Sequence, residues 1–544
     1  MSGIQSLLIG GFLNFAGPIT LFAFFFWLHS LWKIVGPFHL LVKPNWRVCG
    51  AALLGTVVVF LSTKINFKVL SDETNLLSVA NMLAVFGKAS NTEMWEFYYH
   101  TYHALDVSVP SRPILFPLMV ALVHMVVGLK WWSPFVVNFI SLFVLFALVI
   151  RWVDKEVPSR MLPKSAALLS LLMSPVLSIV ATSAGYDLVS LTVGFVCLLL
   201  LFEYEKHREA AVLESLLFGL VCFASVRYET IVAIPFTAAG LYLLEGRSVF
   251  KKISSYALLA AVFMILPLFV QRWLTWGSFE NPPDMPPFSP RHVLKYLPVF
   301  LEWFFVNGAG PYPVLLHWLG LGGLVVALKR MKGVGMIPLV FCGFLLLLLL
   351  SHHFGRADHP TQVRLFLPIS FGLGLLALYW LKDLEPVVDA RYLLMVFGVL
   401  CFHHREYALH DPLTSQLTMT REVRHIRDFM EVDTRPGDLW IYDRPGQLAA
   451  LGYSAISWNR FKENTKAYLM NLNVALYNRI LMIERVPYHY KTAEERIPFA
   501  LEREGYRIKP LRSHELTPDE KLRISEVELL VNPSENPAKS EKKP

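Results

Sequence analysis

The sequence predicts an all-α polytopic membrane bundle of about twelve spanning helices, followed by a small extracytoplasmic α/β domain. Three observations lead there. The 544 residues are 54% hydrophobic and only 17% charged, where water-soluble domains carry about 25% charged residues. Long apolar runs recur through the first three quarters of the chain, each near the roughly 20 residues a helix needs to cross hydrocarbon. From His403 onward those runs stop and charges become frequent. A transmembrane β-barrel would show alternating segments of about ten residues, and that pattern is absent.

The apolar runs lie near Leu8–Leu31, Val48–Thr63, Ser133–Trp152, Ser165–Thr182, Leu188–Phe202 and Ala211–Val226. They continue at Thr230–Leu244, Tyr256–Gln271, Tyr312–Leu328, Gly335–Ser351, Leu365–Leu381 and Tyr392–Phe402. A further stretch, Pro113–Leu129, carries Pro113, Pro117 and His124, which suit a helix lying at the membrane interface. If it does not cross, the basic turns all share one side: Lys33/Lys43/Arg47, Arg151/Lys155/Arg160/Lys164, Lys206/Arg208, Arg247/Lys251/Lys252, Lys329/Arg330/Lys332 and Lys382/Arg391. Positive charge stays cytoplasmic, so the non-crossing arrangement is the expected one. The loops Lys64–Arg112, Ser183–Asp187, Arg227–Glu229, Arg272–Pro311 and His352–Arg364, with everything after His403, then lie outside the cytoplasm.

The net charge of +8 is topology rather than a nucleic-acid surface, because the excess Lys and Arg sit in those short turns. The five cysteines (Cys49, Cys197, Cys222, Cys342, Cys401) fall in or beside apolar segments with no metal or disulfide spacing, as small core residues do. No charged n-region precedes the first apolar run, so no cleavable signal is expected. In the last quarter Asp438–Asp443 reads as a strand, Gln447–Leu451 as helix, Ala455–Trp458 as a strand and Lys462–Met482 as mostly helix. The domain boundaries expected are residues 1–48 for an extra N-terminal helix and basic loop, 49–403 for the membrane domain and 404–531 for the α/β domain. Residues 532–544 form a disordered tail.

Five features on the non-cytoplasmic side could carry chemistry. Ser71 is a candidate N-cap for an amphipathic helix bearing Leu76, Val79, Ala80, Leu83 and Phe86, which puts Asp72 and Glu73 in its first turn. Carboxylates there are either ordinary partners of the helix dipole or a general base and its neighbour. Arg112 enters the interfacial helix, where it either snorkels to headgroups or meets substrate. Tyr186 and Asp187 make a corner between spans, where Asp187 either caps the next helix or contacts substrate; Arg227 and Glu229 make another, where they either pair with each other at the headgroup level or contact substrate. The loop Ser351–Pro368 concentrates Arg356, His359 and Arg364, which could hold a lipid phosphate, since guanidinium presents a planar fork to phosphate oxygens. Its His and Asp lack an HExxH-like spacing, so no metal is assigned and no cofactor is required.

At these residues the chain resembles the GT-C fold glycosyltransferases, nearest to the protein O-mannosyltransferases and the lipid A aminoarabinose transferases. Ser71-Asp72-Glu73-Thr74 before an amphipathic helix looks like their catalytic motif in the first outer loop. Arg112-Pro113-Ile114-Leu115-Phe116-Pro117-Leu118 is similar to their Arg/His-Pro-Pro-x-Tyr-Pro stretch, with Ile114 for the second proline and Phe116 for the tyrosine. Arg364-Leu365-Phe366-Leu367-Pro368 resembles their Arg-Tyr/Phe-x-x-Pro entry to a late span. The order of these elements and a soluble domain after the last span match as well, over most of residues 49–403.

The resemblance implies a multi-pass protein of the bacterial inner membrane whose site and C-terminal domain face the periplasm. It implies attack by a hydroxyl of a lipid, protein or glycan on a polyprenyl-phosphate-linked sugar, with membrane lipids around the site and no nucleic acid. Asp72 would be the general base and Glu73 its supporting carboxylate. Arg356, Arg364 and His359 would stabilise the departing phosphate. Arg112, Tyr186, Asp187, Arg227 and Glu229 would contact substrate. A transporter or flippase would instead place charges within spans near the midplane, and the runs above hold almost none. A non-catalytic assembly factor would keep the fold without the chemistry. The topology has a direct test: single cysteines introduced at Glu96 and Gln447 should react with an impermeant maleimide only from the periplasmic side, and labelling from the cytoplasmic side contradicts the assignment.

Overall fold

The computed structural model describes residues 3–34, 46–156, 174–276, 286–308, 310–384, 418–435, 437–487, 501, 505–517 and 520–529. The expected span Tyr392–Phe402, the first half of Ser165–Thr182, the tail after residue 531, Cys401 and the basic positions Lys43, Arg160, Lys164 and Arg391 lie outside the described residues. The chain divides into two compact units. The first comprises Met1–Ala89, Val109–Gly128 and Trp132–Ser415, and the second Ser90–Ser108, Leu129–Trp131 and Gln416–Pro544.

The first unit is helical. Its elements begin with α1 (Gly3–Lys33), α2 (Trp46–Ser62), α3 (Leu70–Phe86), α4 (Leu115–Val127), α5 (Ser133–Glu156) and α6 (Pro175–Ala181). They continue with α7 (Asp187–His207), α8 (Ala210–Val226), α9 (Ala233–Glu245), α10 (Ser255–Leu274) and α11 (Pro290–Phe305). Last come α12 (Val314–Arg330), α13 (Met336–Ser351) and α14 (Leu367–Leu384). Six helices among the described residues are long and apolar enough to cross a membrane: Gln5–Lys33, Ser133–Lys155, Asp187–His207, Ser255–Leu274, Gly333–Ser351 and Val363–Trp380. Trp46–Ser62 and Ala210–Val226 are apolar but shorter. Helix α10 leaves Leu259, Val262, Phe263 and Phe269 half or more exposed, an apolar surface that suits lipid rather than water.

Two expected elements are shorter than their apolar runs. The 13 residues of α4 reach about 20 Å, well short of the roughly 30 Å of hydrocarbon. The expected span Thr230–Leu244 opens instead as a 3₁₀ turn over Tyr228–Val232, and only Ala233–Glu245 is α-helical. Pro235 explains the change, because it has no N–H to give the carbonyl of Ile231. Helix α11, inside the expected loop Arg272–Pro311, was not legible as an element. Packing is closest between α12 and α14, where Gly320 and Gly323 face the backbone of Leu373 and Leu376 with no room for a Cβ, as small residues allow in apolar bundles.

The second unit is a seven-stranded mixed sheet in the order β2-β1-β4-β3-β5-β7-β6. Its strands are β1 (Met94–Tyr98), β2 (Thr101–Leu105), β3 (Leu439–Ile441), β4 (Ala455–Ile456), β5 (Ile480–Pro487), β6 (Tyr506–Thr517) and β7 (Glu520–Leu529). Strand β3 pairs in parallel with both β4 and β5, and the flanking pairings are antiparallel. The hairpin β1–β2 turns on Tyr99 and His100, both at positive φ (49° and 59°), the conformation of a two-residue hairpin turn. Alternation along β3 sends Leu439 and Ile441 to one face with Trp458, Phe461 and Tyr468. Trp440 goes to the other face with Ile426, Phe429 and Leu448. Two short helices, Trp458–Glu463 and Thr465–Asn473, cover the first face.

Two expectations for this unit are corrected. The sheet is not confined to the C-terminal quarter, since Ser90–Ser108 supplies its edge hairpin: Trp95 pairs with Ala455 and its Nε1 donates to the Tyr453 carbonyl at 2.7 Å. The stretch Lys462–Met482 is also not helical to its end, because Ile480–Met482 is strand in register with Leu439–Ile441. Its buried apolar residues pair there with a strand about forty positions away, which no local pattern reveals.

Candidate active site

Helix α3 starts at the turn after Val69, whose carbonyl accepts from the amides of Asp72 and Glu73 at 3.1 Å each. Val69 is the N-cap, without a side-chain bond, so Ser71 is a helical residue rather than the cap. Both carboxylates remain in the first turn. At the other end Gly87 takes φ +66° and its amide bonds Leu83 O, the left-handed stop that glycine supplies without strain. Leu76, Leu77, Val79, Ala80 and Leu83 are buried. That packing fixes the rotation of the helix and therefore the direction of its first turn.

Asp72 is held by two guanidiniums. Its Oδ1 accepts from Arg112 Nη2 at 2.6 Å and Nε at 3.1 Å. Its Oδ2 accepts from Nη2 of Arg364. Nη1 of Arg364 reaches Asp187 Oδ2 at 3.0 Å, and the other oxygen of Asp187 accepts from Arg227 Nη1 at 2.6 Å. Arg227 Nε in turn donates to the half-exposed Glu229 at 3.1 Å. The result is an alternating row, Arg112–Asp72–Arg364–Asp187–Arg227–Glu229, contributed by five separate segments of the first unit. Tyr186 is buried beside it, with the Arg227 guanidinium 5.7 Å from its ring centre.

Each member is aimed by a helix end. Asp187 opens α7, and the corner before it is held by Asn138 of α5, whose Nδ2 donates to Ser183 O at 2.7 Å and Gly185 O at 3.0 Å. Arg112 precedes α4, and Gln271 of α10 donates to the carbonyls of Pro110 and Arg112 at 2.9 and 2.7 Å. Arg227 closes α8, where the Thr230 hydroxyl donates to Phe223 O and Arg227 O at 2.7 and 2.6 Å. Arg364 lies in the 3₁₀ turn before α14, a turn pinned by Tyr312, whose hydroxyl reaches Ala357 O and Val363 O. The motif reading passed over Asn138, Gln271 and Tyr312. A lone polar residue in an apolar helix is a signal that could have found the first two.

Arg356 and His359 stand apart from this row. Arg356 makes a two-pronged pair with Asp358 at 2.7 and 3.1 Å and is half-exposed. His359 Nδ1 shares a hydrogen bond with Thr361 Oγ1 at 3.0 Å. Among the described residues, no three His, Cys, Asp or Glu side chains gather as metal ligands would.

The two carboxylates of α3 differ sharply. Burial alone would raise Asp72, but the charges and hydrogen bonds of Arg364 and Arg112 bring it below the usual carboxylate range. Glu73 is fully buried, with Oε2 accepting from the Lys68 amide at 2.6 Å. Burial dominates there and pushes its carboxyl up to about 7, against Arg364 and the amides of Lys68 and Val69. A small cavity of about 20 Å³ lies behind it, lined by Lys68, Glu73, Ser183, Pro360 and Arg364. A much larger apolar cavity of about 910 Å³ is bounded by Leu301, Phe305, Leu321, Leu339, Ile369 and Leu376. Ile369 belongs to α14, the helix that Arg364 immediately precedes.

No protein-family model and no curated protein sequence matches the chain. Solved structures do. ArnT from Cupriavidus metallidurans bound to undecaprenyl phosphate is similar at a TM-score of 0.53 and 10% identity, over 89% of this chain and 98% of that one. The same protein in the apo state is similar at 0.52 and 11% identity, over 88% and 97%. The chain therefore has the GT-C fold expected from its sequence and shares it with ArnT.

The elevated Glu73 sets a pH dependence of stability. An unfolded glutamate ionises near 4.5, so between there and about 7 the folded chain retains a proton the unfolded chain has lost. Stability on account of Glu73 is full below this window, falls as pH rises through it and then levels. Glu73→Gln keeps the acceptor oxygen and does not titrate. Thermal melts in detergent should show the variant gaining on the wild type as pH rises from 5 to 7, and then holding a constant lead. A difference that does not vary with pH contradicts the burial of an ionisable Glu73.

Proposed function

We propose that this protein is a membrane glycosyltransferase that moves a sugar from a polyprenyl-phosphate carrier to an acceptor hydroxyl at the periplasmic face of the inner membrane. The observation that carries the reading is Asp72 lying between Arg112 and Arg364, in a fold similar to one whose solved example holds undecaprenyl phosphate. A carboxylate beside two guanidiniums supplies both halves of such a transfer: a proton acceptor and a seat for phosphate.

In this mechanism the acceptor hydroxyl attacks the anomeric carbon and its proton passes to Asp72. The bond between that carbon and the phosphate oxygen breaks, and its electron pair stays on the phosphate. Arg364 and Arg112 stabilise the charge that grows there. Asp187 and Arg227 keep Arg364 aimed, since a buried guanidinium needs a full set of acceptors. Glu73, behind Asp72 and bonded to the Lys68 amide, holds the first turn of α3 in place. The apolar cavity along α14 suits the carrier's isoprenoid chain, because it begins on the helix that follows Arg364. Arg356, occupied by Asp358, is left to the rim of the site with His359.

Asp72→Asn tests the reading, because the amide keeps the shape but takes no proton at neutral pH. Transfer should fall by roughly 10²–10⁴-fold while the protein still inserts and folds. Arg364→Lys keeps the charge but loses the fork that spans two carboxylates, so it should also impair donor use severely, whereas Arg356→Ala should leave it within a few-fold. Transfer assays on purified variants decide. Near-normal activity in Asp72→Asn, or equal losses in the two arginine variants, contradicts these roles.

A further inference from the structure

With both its oxygens engaged, Asp72 is poorly placed to act as a base. Arg112 puts two N–H groups on Oδ1, and Arg364 occupies Oδ2. The guanidiniums meant for the donor phosphate are engaged by the same carboxylate: Arg112 by Asp72, and Arg364 by Asp72 and Asp187 together. A phosphate that takes the Nε–Nη2 fork of Arg112, or Nη2 of Arg364, takes donors that now belong to Asp72.

We propose that the donor phosphate and the Asp72 carboxylate compete for Arg112 and Arg364, so that donor binding itself releases the base. This inference rests on the reading above, that the site accepts a polyprenyl phosphate. Two geometric facts make the exchange feasible. Arg364 has two acceptors besides Asp72, namely Asp187 at Nη1 and the Thr361 carbonyl at Nε at 3.2 Å, so its charge stays paired when Asp72 lets go of Nη2. The backbone of Arg112 is pinned independently by Gln271, so its side chain can move from carboxylate to phosphate without displacing the loop. Once freed, Asp72 keeps Glu73 and Tyr186 as neighbours and loses the two cations that depress its proton affinity. The order of events follows. Donor precedes acceptor, and departure of the polyprenyl phosphate lets the clamp re-form.

The sign of one measurement separates competition from simple support. If Asp72 merely oriented the arginines, removing its charge would weaken phosphate binding. If it competes with the phosphate, removing its charge must strengthen binding, although the variant is catalytically impaired. The full-length protein in phosphatidylcholine nanodiscs is titrated with undecaprenyl phosphate and binding is followed by intrinsic tryptophan fluorescence. Asp72→Asn should bind about tenfold tighter than wild type, the equivalent of about 1.4 kcal/mol. Asp72→Ser, which deletes the carboxylate by a different route, should shift in the same direction. Asp358→Asn removes a carboxylate outside the row and should leave the affinity unchanged. The double variant Asp72→Asn/Arg364→Lys should lose the gain. Equal or weaker binding in both Asp72 variants, with wild type binding normally, overturns the competition and leaves the proposed function standing. Failure of wild type and of every variant to bind overturns both together.

Discussion

Arg364 reaches two carboxylates from one guanidinium, and those carboxylates begin two different helices. Charges this well buried are costly unless paired and hydrogen-bonded on every side. Asp187, only a few per cent exposed, is tolerable because Arg364 and Arg227 share it. Asp72 is tolerable because Arg364 and Arg112 do. The row therefore acts as a cross-tie between the starts of α3 and α7, the end of α8 and the entries to α4 and α14. Removing one interior member still leaves each buried neighbour one partner from the row, so the loss is of the cross-tie rather than of all charge compensation.

The apolar packing prepares this row rather than competing with it. Polar residues inside the helices, Asn138 and Gln271, spend their hydrogen bonds on loop carbonyls and so fix the corners from which Asp187 and Arg112 extend. Tyr312 does the same for the turn that carries Arg364. The close contact of α12 with α14 at Gly320 and Gly323 holds the helix below that turn. The charged groups at these helix termini are thus held by a rigid scaffold. The sheet unit is built on other terms, with apolar residues alternating between its two buried faces.

Most of the charged row at the candidate site was legible because charge is scarce in this chain. Asp72, Glu73, Arg112, Asp187, Arg227 and Arg364 stand at the ends of apolar runs, where an ionised group needs a reason to be, and their order resembles known motifs. Their pairing was not legible. Arg227 with Glu229 reads as a local pair, but Asp187 also takes Arg364 from a distant loop, and no periodicity encodes that. Arg356 looked equivalent to Arg364 by spacing, yet Asp358 two residues on claims it. The hairpin at Met94–Leu105 escaped for a similar reason: it stands beside an amphipathic helix in sequence, but its pairing partner is Ala455. Strands β5 to β7 depend likewise on neighbours that a local window cannot contain.

The central claim is the class of donor, and transfer by the purified protein tests it most directly. The protein in nanodiscs is given membrane extract as acceptor and one of two labelled donors, a set of polyprenyl-phosphate sugars or the matching sugar nucleotides. The account predicts label appearing in an acceptor fraction from at least one polyprenyl-phosphate sugar, with none from the nucleotides. Transfer from a sugar nucleotide alone, or no transfer from any polyprenyl-phosphate sugar, contradicts it.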